Sequence, residues 1–394
     1  MTVSGPVVRE QVMLAGYTTL GLGGPAARFV EADSEEQIIA TVRSADAVGE
    51  PVLVLGGGSN LVVADEGFPG TVLHVVTGGV RTSSGPGGVT VVVAAGEDWD
   101  CLVQRCVGEG LSGIECLSGI PGLAGATPIQ NVGAYGQDVS ETIFSVRAHD
   151  RLLDTVVELT NADCGFGYRT SAFKLGSGAA GAAGGAAGAA GGAAGAGRRD
   201  APHPAAATGR FVVLGVTFRL AREPLSAPIG YSELARALDV TVGERVPLGE
   251  ARTAVLALRR RKGMVLDSGD PDTRSAGSFF TNPVLGRSQF AEVERRAAAM
   301  SGRPGEPAGV PHFAAGNGLV KVSAAWLIEQ AGFARGYPPN ASVRISSKHT
   351  LALTNPGGAS TADLVGLARE IRDGVRHAFG VELVSEPVLV GTEL

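Results

Sequence analysis

SGIPGLAGATPIQNVGAYGQDVS, residues 118–140, is the stretch from which the rest of this chain is read. Its glycines, Gly119, Gly122, Gly125, Gly133 and Gly136, permit positive φ and let main-chain N–H groups approach an anion or a ring closely, at an entropic cost that a plain surface loop avoids. A long flexible loop is the alternative. Against it stand Ile120, Leu123, Ile129, Val132 and Tyr135, whose apolar side chains call for burial. The stretch reads as backbone shaped around a ligand.

Upstream, the pattern alternates between strand and helix. ARFVEA is an apolar run, and SEEQIIATVRSA opens on a Ser34 cap with Gln37 at the third helical position. PVLVL then enters GGGSN, Gly56 to Asn60, and LVVADEGFPGTVLHV follows with the alternation of one further strand. A dinucleotide-binding glycine motif would open a helix there, so the spacing argues against that motif. Successive N–H groups of the glycine turn suit an anion-binding nest, although a tight turn alone would also use them.

Residues 176–209, almost pure Gly and Ala before RRDAPHPAAATG, carry too little apolar bulk to repay ordering and are expected to form a disordered insertion. RFVVLGVTFRL resumes as a strand. From Pro224 onward the expectation is α plus β: a helix over residues 251–262, a loop through Gly277, and a helix in VSAAWLIEQAG. A further helix is capped by Ser360 and Asp363, faced by Leu364, Leu367, Ile371 and Val375 and stopped by Gly380; VELVSEPVLV is the last strand.

The 394 residues, 44% hydrophobic and 18% charged, describe a globular chain of two or three domains, large enough to enclose a cofactor. A net charge of −6 disfavours a nucleic-acid surface or an anionic membrane and leaves room for one local basic pocket. No basic segment followed by an apolar run marks a leader, and no run is long enough to span a bilayer, so a cytoplasmic location is expected. Cys101, Cys106, Cys116 and Cys164 lack zinc spacing and read as buried small side chains, and the histidines lack a metal motif; no metal is expected.

Certain residues stand out chemically. Glu386 shares the parity of Val384, Val388 and Val390, so alternation along one strand would put a carboxylate on an apolar face, where desolvation raises its pKa; Pro387 could instead end the strand and leave it on a rim. Arg169, in CGFGYRTSAFK, offers a planar fork for a carboxylate or phosphate, or is a solvated charge. Ser278, in RSAGSFFTNP, is a hydroxyl beside Phe279 and Phe280 without the turn or base of a nucleophile, and so is a proton or hydrogen-bond donor, or part of a turn. Arg259, Arg260, Arg261 and Lys262 at a helix end could hold phosphates or complement the helix dipole.

Together, TTLGLGGPA (18–26), VLGGGSNLVVAD (54–65), GIPGLAGATPIQNVGAYGQDV, GYRTSAFK, AGSFFTNP and SEPVLVG, in that order, resemble the UDP-N-acetylenolpyruvoylglucosamine reductase family over nearly the whole chain outside the Gly/Ala insertion. The resemblance implies an α+β fold: an FAD-binding domain of the vanillyl-alcohol oxidase type (two α+β subdomains, residues 14–222), then an α+β substrate domain (residues 223–394) whose last strand returns to the active site. It implies a flavoenzyme of peptidoglycan precursor synthesis that takes reducing equivalents from NADPH, with Arg169, Ser278 and Glu386 as the catalytic arginine, proton donor and carboxylate. FAD would be held without a covalent bond by Gly56, Gly57, Gly58, Ser59 and Asn60, and by Ser118, Gly119, Ile120, Pro121, Gly122, Gly125, Ala126, Gln130, Asn131, Gly133 and Ala134. Tyr135, Tyr168, Tyr231, Lys262 and Asn282 would meet the UDP-sugar, Tyr231 as the tyrosine of the subclass with a substrate-covering loop. Thr281 departs from the lysine that many relatives carry. The competing expectations are a sugar or lactone oxidase on the same flavin fold, and a non-catalytic flavin- or nucleotide-binding module. A monomer is favoured.

Overall fold

The computed structural model describes residues 5–175, 208–300 and 309–394. Its first sheet runs β1 (Val7–Met13), β2 (Pro25–Ala32), β5 (Phe68–Val75), β3 (Val52–Leu55), with β1 antiparallel to β2 and β5 parallel to both β2 and β3. Helix α1 (Glu35–Ala47) makes the crossover from β2 to β3. Ser34 Oγ accepts the Gln37 N–H at 3.4 Å, and the Gln37 side chain returns to the Asp33 N–H at 3.0 Å, one residue short of a regular capping box. The expected single strand after GGGSN is two, β4 (Leu61–Val63) and β5. Residues 64–67 turn between them, with the Gly67 N–H donating to the Ala64 carbonyl at 2.9 Å.

The second sheet is wholly antiparallel. β6 (Val80–Gly85) pairs β7 (Gly88–Ala94), which pairs the long strand Phe211–Arg222, then Ile143–Asp150 and Thr155–Thr160. Helix α2 (Trp99–Gly108) starts on Asp98, whose carboxylate accepts the Cys101 N–H at 2.8 Å. Val30, Ile38 and Leu73 from the first layer and Val91, Trp99 and Phe218 from the second join in one buried cluster, so the two α+β subdomains share a core. The expected insertion lies outside the described residues except for its last two positions. Those two are packed into the fold: Thr208 Oγ1 accepts the Val54 N–H at 2.8 Å and Gly209 is buried. The short helix α3 (Ala172–Leu175) precedes it.

The remaining part carries α4 (Ser232–Leu238), α5 (Leu248–Arg261), α6 (Arg287–Met300), α7 (Ala324–Gln330) and α8 (Thr361–Phe379), with a small sheet of Val284–Leu285, Val320–Val322 and His312–Ala314. The capping box on α8 is complete: Ser360 Oγ accepts the Asp363 N–H at 3.1 Å and the Asp363 carboxylate accepts the Ser360 N–H at 2.9 Å. Asp65, from the turn after β4, adds acceptors for the N–H groups of Thr361 and Ala362, which fastens the helix start to the first domain. Leu364, Leu367, Ile371 and Val375 are buried as their spacing predicts, each contributing about 1.5–3 kcal/mol of apolar burial.

The last strand is only Val388–Val390, parallel to β4, not the whole of residues 381–390. Before it the backbone runs past the 279–281 loop instead, with Glu386 N–H donating to the Phe279 carbonyl at 2.8 Å and Thr281 N–H to the Val384 carbonyl at 3.0 Å. Val384 is exposed while Glu386 and Val388 both reach the cavity, so the expected parity breaks between Val384 and Glu386 and holds only from there on.

Candidate active site

Between the glycine loops and the C-terminal half lies a cavity of about 490 Å³, within the range of ligand sites. One wall is backbone. Gly58 sits at φ +59, and a Cβ there would fall 1.9 Å from the Tyr17 carbonyl oxygen, while a Cβ on Gly57 would fall 2.8 Å from Gly122 Cα. Only glycine lets the two loops abut and turn main-chain atoms toward the space. Leu53, Val54, Trp99, Phe211 and Val213 line the same space with apolar surface. A slot with apolar sides and glycine N–H groups fits a flavin ring with its pyrophosphate.

Arg169, Ser278 and Glu386, from three distant segments, all line this cavity. Arg169 is a non-glycine residue at φ +51. Its Nε meets Glu386 Oε1 at 2.9 Å, Nη1 donates to the Asn131 carbonyl at 3.1 Å and Nη2 to the Gly133 carbonyl at 2.6 Å. Nη1 also lies 3.7 Å from the Asp138 carboxylate, so the second N–H of Nη2 is the one left to face a substrate anion. Glu386 is held through its main chain as well: its carbonyl accepts from Asn60 Nδ2 at 3.4 Å and Gln130 Nε2 at 3.3 Å. Burial pushes its carboxyl above the ordinary glutamate value, and the charges of Arg169 and Lys174 pull it partly back. Ser278 is half-buried between Gly277, at φ +74, and the packed ring of Phe279.

The basic end of the cavity is built from α5. Arg259 and Lys262 line it, whereas Arg260 and Arg261 point to solvent near the helix C-terminus. Arg259 is buried, its Nη2 donates to the Met264 carbonyl at 2.7 Å, and its Nε has no protein partner among the described residues. Lys262 pairs with Glu233 of α4 at 2.6 Å and lies 5.7 Å from the Tyr135 ring, which meets Tyr231 edge-on at 5.7 Å. His349 completes this end. Burial first, then the charges of Lys262, Arg335 and Arg259, bring its pKa down to about 4, so its imidazole is neutral at pH 7.

Comparison with known proteins decides the family. Residues 270–390 match the C-terminal domain of UDP-N-acetylenolpyruvoylglucosamine reductase, and residues 26–159 match an FAD-binding domain family. A UDP-N-acetylenolpyruvoylglucosamine reductase of Thermobifida fusca is 54% identical over 98% of this chain and 98% of its own length. The chain belongs to the UDP-N-acetylenolpyruvoylglucosamine reductase family. The relative of that name from Streptomyces coelicolor is 52% identical over 97% of this chain and 90% of its own. The solved reductase of Thermus caldophilus, 23% identical, superposes with a TM-score of 0.59 over 98% of this chain and 99% of its own, and so shares the fold.

Within this family member, most of the expected site residues reach the cavity wall: Gly56 through Asn60, Ile120, Pro121, Gly122, Gly125, Ala126, Gln130, Gly133, Ala134, Tyr135, Tyr231 and Lys262. Five stand back from it. Ser118 Oγ bonds the Glu115 carbonyl at 2.6 Å, and Gly119 N–H bonds Asp100, which also takes both Nη groups of Arg252 at 2.6 and 2.9 Å and so ties α2 to α5. Asn131 braces the Gly167 carbonyl at 3.0 Å, and Asn282 accepts the Ala324 N–H at the start of α7 at 2.9 Å. Tyr168 lies under Lys321, whose Nζ is 4.5 Å from the ring. His349 and Thr208 line the site with no sequence signal, whereas Arg259 belongs to the run of four cations at the helix end, and its three-residue spacing from Lys262 puts the two on a shared face. Cys101 is exposed, unlike the other cysteines, whose thiols burial pushes up, to about 12 at Cys106 and Cys164.

Proposed function

We propose that this chain carries out the reaction for which its family is named, NADPH-dependent reduction of the enolpyruvyl ether of UDP-N-acetylglucosamine to UDP-N-acetylmuramate. The convergence of Arg169, Ser278 and Glu386 on a glycine-walled cavity is the observation that carries the reading. FAD, when bound by the GGGSN and IPGLAGA loops, supplies the hydride that originates in NADPH. Addition of hydride at the vinyl methylene leaves negative charge on the neighbouring carbon and its carboxylate. Arg169 faces that charge with the remaining N–H of Nη2, and Glu386, with its carboxyl pushed up by burial, stabilises the same enolate-like state when protonated. Ser278 delivers the proton to the carbon bearing the ether oxygen. At the other end Lys262 and Arg259 hold the nucleotide diphosphate, and Tyr231 closes over it against Tyr135.

The residue roles, the division into flavin domain (14–222) and substrate domain (223–394), action as a monomer and a cytoplasmic site belong to this proposal. Among the described residues no helix is long and apolar enough to cross a membrane. NADPH oxidation by the purified chain should depend on the enolpyruvyl sugar nucleotide and yield UDP-N-acetylmuramate. Hydrogen peroxide formed from a simple sugar, with no such dependence, would favour an oxidase instead.

A further inference from the structure

We infer that Lys174 is a positioning residue for the Arg169–Glu386 pair, and through it for the reductive step proposed above, on which the inference rests. Lys174 Nζ donates to Gln130 Oε1 at 3.1 Å and to the main-chain carbonyl of Arg169 at 3.2 Å. The other end of the Gln130 amide donates to the Glu386 carbonyl at 3.3 Å, and the Glu386 carboxylate meets Arg169 Nε at 2.9 Å. Lys174, Gln130, Glu386 and Arg169 therefore close a ring that joins the flavin loop, the segment before the Gly/Ala insertion and the segment that leads into the C-terminal strand.

Each link has a task. An ammonium only donates, so it fixes Gln130 with its oxygen toward Lys174 and its NH₂ toward Glu386; a flipped amide would set donor against donor and lose the tie to Glu386. Arg169 holds φ +51, a conformation that a side chain with a Cβ keeps only where its surroundings fix it, and the ammonium on its carbonyl is one such restraint. The two charges acting on the buried Glu386 carboxyl are Arg169 and Lys174, and both hold its pKa below where burial alone would place it. Lys174 lies behind the cavity wall, bonded to Gln130 and Arg169 that line it, and acts through the pair.

The test uses the FAD-loaded full chain with Lys174→Met, which removes the bonds to Gln130 and Arg169 and the charge, and Lys174→Arg, which keeps charge and donors. Lys174→Met should slow reoxidation of the reduced flavin by the sugar nucleotide about tenfold or more, the scale of a small misplacement of reacting groups, while flavin reduction by NADPH stays within about twofold. Carboxyl ¹³C NMR, assigned with Glu386→Gln, should show Glu386 titrating at higher pH in Lys174→Met. Lys174→Arg should recover most of the rate. Unchanged reoxidation with an unmoved Glu386 titration overturns the inference, as does equal loss of both half-reactions with release of flavin. Should Lys174→Met not fold, Lys174→Gln is read in the same way. If the wild-type chain fails to reduce the sugar nucleotide, the reaction proposal falls, and the Glu386 titration still decides whether the ring exists.

Discussion

Two cation–carboxylate pairs border the same cavity and are built in opposite ways. Arg169 and Glu386 are each one-fifth exposed, and both are tied down elsewhere, Arg169 to two loop carbonyls and Glu386 to Phe279, Asn60 and Gln130. Lys262 and Glu233 are each about one-third exposed and joined by a single contact. A largely buried pair held by several further bonds is costly to break from one side, whereas a pair one-third exposed is worth little and exchanges readily. The contrast separates the part of the site that is preorganised for charge developing during reaction from the part that must open for a ligand arriving with its own negative charge.

The largest effect should come from breaking the fixed pair. Arg169→Lys keeps the charge and loses the fork, and kcat should fall on the order of 10³-fold, seen as slow flavin reoxidation in rapid mixing. A kcat near wild type would mean that the geometry of the guanidinium is irrelevant. Ser278→Ala leaves the pair intact and removes the proposed proton; reoxidation should slow about 10²-fold while NADPH still reduces the flavin at its usual rate. Equal losses in both half-reactions would remove the proton-donor role.

At the basic end, His349 offers a test through stability. Its folded pKa, about 4, lies below the ordinary value of 6.5, so between the two the unfolded chain binds more protons and stability falls as pH drops. The loss should reach ~2 kcal/mol by pH 5 and be absent in His349→Gln, as followed by denaturant midpoints. A wild-type curve that parallels the variant would show that the imidazole is charged or solvated. The smallest effect belongs to the exchangeable pair. Glu233→Gln frees Lys262 and should lower KM for the sugar nucleotide about two- to fivefold with kcat unchanged, the gain shrinking with added salt. A raised KM would instead make Glu233 a ligand contact.

The same division explains what could be read from the sequence. The backbone wall was legible because close approach and positive φ require glycine, as at Gly57 and Gly58, and that demand is written locally. Helices α1 and α8 were legible for a similar reason, their caps lying beside their apolar stripes. Side chains that meet only in the folded chain leave weaker marks. Glu386 stands out through a strand parity that already fails at exposed Val384, and His349 sits in SSKHT with nothing nearby to announce it. Tyr168 and Asn282 lie within quoted motifs, but nothing in those motifs foretells that the Tyr168 ring meets both Lys321 and Arg169 or that Asn282 caps α7. Arg259 was hidden in a run of four cations, of which the helix turns two outward.

The parallel pairing of Val388–Val390 with β4 bears on how the molecule is made. A ribosome has to move on from Val63 to Val388 before β4 gains that neighbour and Glu386 reaches Arg169. The flavin half can collapse early on its own core, but its pocket stays one carboxylate and one strand short until the tail docks. Cutting the gene between the halves should therefore give two fragments, neither competent alone, whose reassembly restores turnover.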